Sequence, residues 1–156
     1  MSDALERLCA DQSKRLGAAL TRLVDAKAAD ELVSGLVQRR AAVWVESLGD
    51  MPIGFADLRA QAADAHERGL PLVVENSLAT SFGCPACRLG ADVVVECLTR
   101  AWPEGTGRCV ALSASKACPS DLRVALAALP SAVFDDTAVT SLVAALAAFP
   151  ARRRRE

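Results

Sequence analysis

Leu72-Val73-Val74-Glu75-Asn76-Ser77-Leu78-Ala79-Thr80 and, further along, Val93-Val94-Val95-Glu96-Cys97-Leu98-Thr99-Arg100 decide how this chain folds. Each begins as an apolar, β-branched run and ends in polar residues, the pattern of a strand buried on both faces of a parallel sheet. In such sheets ligands collect outside the carboxyl ends of the strands. The two polar ends, Glu75–Thr80 and Cys97–Arg100, are therefore the first place to look for chemistry.

Working outward, Ala42-Val43-Trp44-Val45-Glu46 reads as another buried strand, bounded by a Leu48–Pro52 loop. Phe55, Leu58, Ala62 and Ala65 mark one face of a helix over about 55–68, with Gly69 at its C-cap. Pro85–Leu89 is expected as a short helix closed by Gly90, and residues 108–114 as a fourth strand. Pro119-Ser120-Asp121 opens a helix to about Leu129, and Asp136 caps another through Phe149. Towards the N-terminus, Leu5, Leu8, Cys9 and Leu16 sit at helical spacing over 3–16, and Gly17 ends that helix. Leu20–Val24 reads equally as a strand or as more helix. Asp25 then caps a helix whose apolar stripe is Ala28, Leu32, Leu36 and Val37. Strands alternating with helices of this length predict an α/β fold, with a mostly parallel sheet of about four or five strands flanked by helices.

The 156 residues suit one domain over 1–150, followed by a basic tail over 151–156 that is expected to be solvated and disordered. The chain is 52% hydrophobic with a mean hydropathy of +0.24, but alanine supplies much of that. No apolar run reaches the ~20 residues of a spanning helix, and no signal-peptide pattern opens the chain. The expectation is a cytoplasmic protein without a membrane partner. A net charge of −1 gives no electrostatic case for nucleic acid. Six cysteines in such a chain are expected to be reduced thiols.

Cys84-Pro85-Ala86-Cys87 has two readings. A helix start lowers thiol pKa, which suits a redox pair; two small residues packing a helix start is the other reading. A metal site would need Cys97 and Cys109 as well, at a spacing unlike paired zinc ligands, so no metal is expected. His66 is expected to pack or cap, and Trp44 and Trp102 to fill core and loop space. Glu46, Glu75 and Glu96 stand at three strand ends that can share one crevice. There they would raise one another's pKa or attract Arg100 into a Glu75–Arg100 or Glu96–Arg100 ion pair.

Glu46–Met51, Ala65-His66, Val73–Ser81 and Gly90–Arg100 together resemble the cystathionine γ-synthase family. These are the fold type I, pyridoxal-phosphate (PLP)-dependent transsulfuration enzymes of Cys/Met metabolism. Members typically read Glu-Thr-Pro-x-Asn-Pro, then Ala-His on a helix, then Val-Val-Asp-Asn-Thr-Phe-Ala-Thr-Pro. Gly-Ala-Asp-Ile-Val-Val-His-Ser-Ala-Thr-Lys follows. The order is kept without a gap over about 55 residues, from Glu46 to Arg100.

The resemblance assigns roles residue by residue. The lysine that forms the Schiff base falls on Arg100, whose guanidinium, with a pKa above ~12, has no free amine to offer. The aspartate that pairs with the pyridine nitrogen falls on Glu75, one methylene longer. The asparagine and proline of the Asn-Pro loop fall on Asp50 and Met51. Of the Ser-x-Thr that holds the phosphate, the serine is Cys97 and the threonine Thr99. The resemblance also implies a truncated chain, without the family's glycine-rich phosphate loop and ring-stacking tyrosine, and with its small domain absent or reduced to the last two helices.

It further implies that strands 42–46, 71–75, 92–96 and 108–114 are neighbours in that order, the last antiparallel. Open edges would then be covered by the N-terminal helices, by Leu20–Val24 reused as a strand, or by a second subunit, and a homodimer or partner subunit is expected. The resulting expectation is a catalytically inactive relative that binds no cofactor and acts as a binding or structural protein. Half of a split PLP-dependent lyase completed by a partner is the alternative, and a Cys84/Cys87 thiol redox protein a second one.

Overall fold

The computed structural model describes residues 3–38, 41–50, 53–98 and 109–153. Helix α1 (Asp3–Leu16) leads into β1 (Leu20–Asp25), α2 (Ala26–Gln38) and β2 (Val43–Glu46). A hairpin of β3 (Leu48–Asp50) and β4 (Ile53–Phe55) precedes α3 (Leu58–Glu67) and β5 (Leu72–Glu75). Next come α4 (Thr80–Gly83), a 3-10 turn (Ala86–Leu89), β6 (Val93–Cys97), β7 (Cys109–Ala114), α5 (Ser120–Ala128) and α6 (Asp136–Arg153).

The main sheet runs β1-β7-β6-β5-β2. Strands β2, β5 and β6 pair in parallel, β7 is antiparallel to β6, and β1 is antiparallel to β7. Four of the five strands therefore share one direction. The neighbour order implied by the resemblance holds, with β7 as its antiparallel member. Leu20–Val24 resolves as a strand because β7 offers it a full ladder, from Leu20 opposite Ala114 to Asp25 opposite Cys109.

Strand alternation sorts the core into two layers of helix around the sheet. On one face Leu72 and Val74 of β5, Val94 of β6 and Cys109 and Ala111 of β7 meet α1, α3 and α6. On the other, Val73, Val93, Val95, Val110, Leu112 and Ala114 meet α2 and α5.

Several local expectations are corrected. Residues 48–50, expected in a loop, form a hairpin strand, with Gly49 opposite Gly54 where two bare backbones pair closely. Helix α3 starts at Leu58, not near 55, because Asp57 caps it by accepting the Ala60 N–H at 3.1 Å. Phe55 lies on β4 and is 76% exposed. Trp44 is surface, not core: β2 is an edge strand and leaves the indole 37% exposed. Residues 151–153, expected in the tail, continue α6.

Candidate functional site

The sheet's alternation decides which strand-end groups can meet. Glu75 lies opposite Val95, so both face α2 and α5, and Glu96 takes the α1 face together with Val94. Glu46 lies opposite Glu75 and is exposed. The three carboxylates therefore do not share one crevice; a one-residue offset in register sends Glu75 and Glu96 to opposite faces. Arg100, Thr99, Trp102 and Met51 lie outside the described residues, and with them both proposed Arg100 ion pairs. Asp50 belongs to β3, opposite Ile53.

On the α2/α5 side, Glu75 and Cys97 are joined through Ser77. The Ser77 N–H donates to Glu75 Oε1 at 3.1 Å, and the Ser77 hydroxyl makes a short bond to the same oxygen. That hydroxyl oxygen accepts the Cys97 N–H at 2.8 Å. The half-buried Glu75 carboxylate thus folds back on its own strand end and clamps it to β6. Beyond it the chain turns sharply, with Thr80 at φ 60, a left-handed conformation rare for a β-branched residue.

On the α1 side lies a polar cluster that the motif reading passed over. Glu96 is 2% exposed and accepts hydrogen bonds from Asn76 Nδ2 at 2.6 Å and, through a short contact, from Gln12 Nε2. The Gln12 carbonyl oxygen accepts from the Ser81 hydroxyl at 2.9 Å and from Arg15 Nη2 at 3.0 Å. Arg15 Nε reaches Ser81 Oγ at 3.2 Å. Burial pushes the Glu96 carboxyl up to about 7, outweighing the Asn76 and Gln12 hydrogen bonds and the field of Arg15, while the charge of Glu75 adds to the rise. Asn76 Oδ1 is buried without a hydrogen-bond partner among the described residues. On the same face of the sheet, Ser13, Thr21 and Ser113, the last opposite Val94, form a hydroxyl chain with links of 2.7 and 2.8 Å.

The sequence carried a signal for this cluster. Gln12 falls on the same helical stripe as Leu5, Leu8, Cys9 and Leu16, and a polar residue inside an apolar stripe asks for a buried partner. Glu96 sits likewise within a run buried on both faces.

The remaining motifs lie away from this cluster's hydrogen bonds or at its border. His66 Nε2 and Asp92 Oδ2 lie 2.7 Å apart, and the same oxygen accepts the Leu72 N–H at 2.8 Å, which ties α3 to the starts of β5 and β6. Cys84 is buried and Cys87 half-buried, both as free thiols. Burial raises Cys84, and it pushes Cys87 up to about 12 with the charges of Glu96 and Asp92 adding to it. Thiols so placed carry little thiolate and make poor nucleophiles. Only a four-residue 3-10 turn follows Cys84, with no α-helix dipole to oppose the rise. Among the described residues no three His, Cys, Asp or Glu side chains group as a metal site, and no helix is long and apolar enough to cross a membrane.

Comparison with known proteins agrees with this architecture. Residues 3–127 match the family described as Cys/Met metabolism PLP-dependent enzyme. A homocysteine/cysteine synthase of Kluyveromyces lactis is 33% identical over 95 residues, covering 60% of this chain and 21% of that protein. A cystathionine gamma-lyase of Dictyostelium discoideum is 31% identical over 87 residues, covering 56% and 22%. Among solved structures, a cystathionine gamma synthase of Xanthomonas oryzae pv. oryzae superposes with a TM-score of 0.75 at 14% identity, over 97% of this chain and 52% of that one. An apo methionine gamma lyase of Micromonospora echinospora gives 0.72 at 19% identity, over 95% and 52%. The matched stretch thus spans about a fifth of these curated relatives and about half of the solved ones.

Proposed function

The chain belongs to the Cys/Met metabolism PLP-dependent enzyme family, and on that premise we propose that it keeps the family's sheet as a binding or structural scaffold and performs no pyridoxal-phosphate chemistry. Arg100 carries this reading. At the position that matches the family's Schiff-base lysine, a guanidinium stays protonated and has no lone pair for a carbonyl carbon.

The residues present do not fit the cofactor elsewhere either. Glu75, at the position that pairs with the pyridine nitrogen, spends its carboxylate on Ser77. Cys97 replaces the phosphate-holding serine, and a thiol is a weak hydrogen-bond donor. The buried polar groups at the β6 end are consumed by the Gln12–Glu96–Asn76 cluster.

Incubation with pyridoxal phosphate, borohydride reduction and intact-mass measurement tests this directly. Wild-type protein is expected to give only sub-stoichiometric labelling, spread over Lys14, Lys27 and Lys116. A one-to-one adduct on a single residue would overturn the inactive reading.

One observation favours a partner. Strand β2 pairs on one side with β5, and no strand covers its other side among the described residues, although Trp44 stands there partly exposed. An uncovered strand edge invites pairing. A homodimer closed along β2 is the form this reading expects, and a separately encoded half that completes a lyase is the alternative. Sedimentation equilibrium should give a dimer for wild type and a monomer for Trp44→Lys. A monomeric wild type would remove the homodimer, and a stoichiometric second polypeptide co-purifying from the native host would favour the split enzyme.

A further inference from the structure

A cleft between α1 and α6 borders the Glu96 cluster through Arg15 and plays no part in the reading above. Its volume is about 490 Å³, within the range of small-molecule pockets. Leu8 of α1, Val143 of α6 and Phe82 of α4 give it apolar walls, and Arg7, Asp11 and Arg15 line it along one stripe of α1. We propose that this cleft binds an organic monocarboxylate with an apolar body, its carboxylate on Arg15 and its body along Leu8, Val143 and Phe82.

Arg15 is the anchor. Its guanidinium stacks over the Phe82 ring at 4.3 Å from the centroid, which fixes the plane of the fork. Two of its donors go to neutral acceptors, the Ser81 hydroxyl and the Gln12 carbonyl. Among the described residues the ion pairs are Lys27–Glu31, His66–Asp92 and Arg68–Asp64, so no carboxylate there lies within 4.0 Å of Arg15. Burial lowers its pKa, opposed by the charges of Asp11 and Glu96, neither of which is in contact with it. A carboxylate supplies that missing partner through the fork geometry guanidinium favours.

The charge pattern selects the class of anion. Arg7, Asp11 and Arg15 follow one another at successive turns as plus, minus, plus, leaving one net positive charge. That suits a monoanion better than a dianionic phosphate, which Asp11 repels.

Calorimetric titration of the full chain with octanoate, 1-octanol and acetate tests the proposal. Octanoate is expected to saturate one site at least about tenfold more tightly than 1-octanol, the gain of a charge-assisted pair, while acetate, lacking the body, gives no measurable binding. Arg15→Gln should bring octanoate down to the level of 1-octanol. Val143→Glu, at a partly exposed α6 position, should weaken both ligands, and octanoate more than 1-octanol, because charge repulsion adds to the loss of the apolar wall. Absence of saturable octanoate binding, equal affinity for octanoate and 1-octanol, or octanoate binding untouched by Val143→Glu would each overturn it. So would a folded Arg15→Gln variant that still binds octanoate at wild-type strength.

Discussion

Glu96→Gln is expected to be more stable than the wild-type protein at pH 8 and nearly equal to it at pH 5. The cause is the position of Glu96 on the covered face of β6, where its carboxyl is 2% exposed and held by two neutral amides instead of a cation. Burial raises it from 4.5 to about 7 in the folded chain. The folded state therefore keeps the proton in a range where the unfolded chain has released it. By linkage, this group's contribution is fully present below about pH 4.5 and is lost as pH rises to about 7. The span corresponds to at most ~3 kcal/mol, and relaxation of the site reduces it to roughly 1–3 kcal/mol.

Glutamine has the shape of the protonated acid and no charge to desolvate. Its amide N–H needs an acceptor, as does the acid's O–H, and the partnerless Asn76 Oδ1 becomes that acceptor when the Asn76 amide rotates. The rotation gives up the 3.1 Å bond from Asn76 Nδ2 to the Cys84 carbonyl, a loss of about 1 kcal/mol that keeps the gain modest. Urea unfolding of both proteins at pH 5 and pH 8 reads the difference directly. A variant less stable than wild type at pH 8, or one with the same fall in stability between the two pH values, would show that Glu96 is ionised and well solvated in the folded state.

The sheet was readable because its strands differ from everything else in the chain. Val73-Val74 and Val93-Val94-Val95 are β-branched, apolar and bounded by turn residues, and the family resemblance, not the pattern itself, implied the pairing of β2, β5, β6 and β7. Segments whose structure depends on a distant partner were not readable in the same way. Leu20–Val24 has no local preference between strand and helix, and only the ladder to β7 settles it. Ile53–Phe55 is held by three pairings across a hairpin, too few to leave a period. In the site, motif order named Glu75, Cys97, Asp50, Thr99 and Arg100 as family-equivalent positions, the last two outside the described residues, but said nothing of the facing of Glu75 against Glu96, which turns on a single residue of register. Gln12 and Arg15 belong to no strand-end motif, and Ser81 only closes the Val73–Ser81 stretch. They gather around Glu96 because α1 folds back across the sheet, a tertiary event that the helical stripe hints at only through one polar residue.

Gly90→Ala should destabilise the fold by about 3 kcal/mol, from two costs that add. Gly90 follows the 3-10 turn at φ 109 and ψ 0, where an L side chain costs roughly 1–2 kcal/mol. A Cβ there would also stand 2.5 Å from the Cβ of Ala62. Ala62 cannot turn aside, since it has no rotamer to change and is buried in α3 between Leu58 and Ala65, which pack on β5. Overpacking of that kind adds about 1–3 kcal/mol. Gly69, at φ 67 with nothing within 4 Å, supplies the control. Gly69→Ala should show the backbone cost alone and leave a gap of about 1–3 kcal/mol between the two variants. In the Gly90→Ala background, Ala62→Gly should recover part of the loss despite the ~1 kcal/mol that glycine costs inside a helix. Equal destabilisation of the two glycine variants, or no recovery with Ala62→Gly, would mean that α3 yields to the added methyl. In that case the contact that seats α3 beside Asp92 and the start of β6 is softer than the close approach of Gly90 and Ala62 requires.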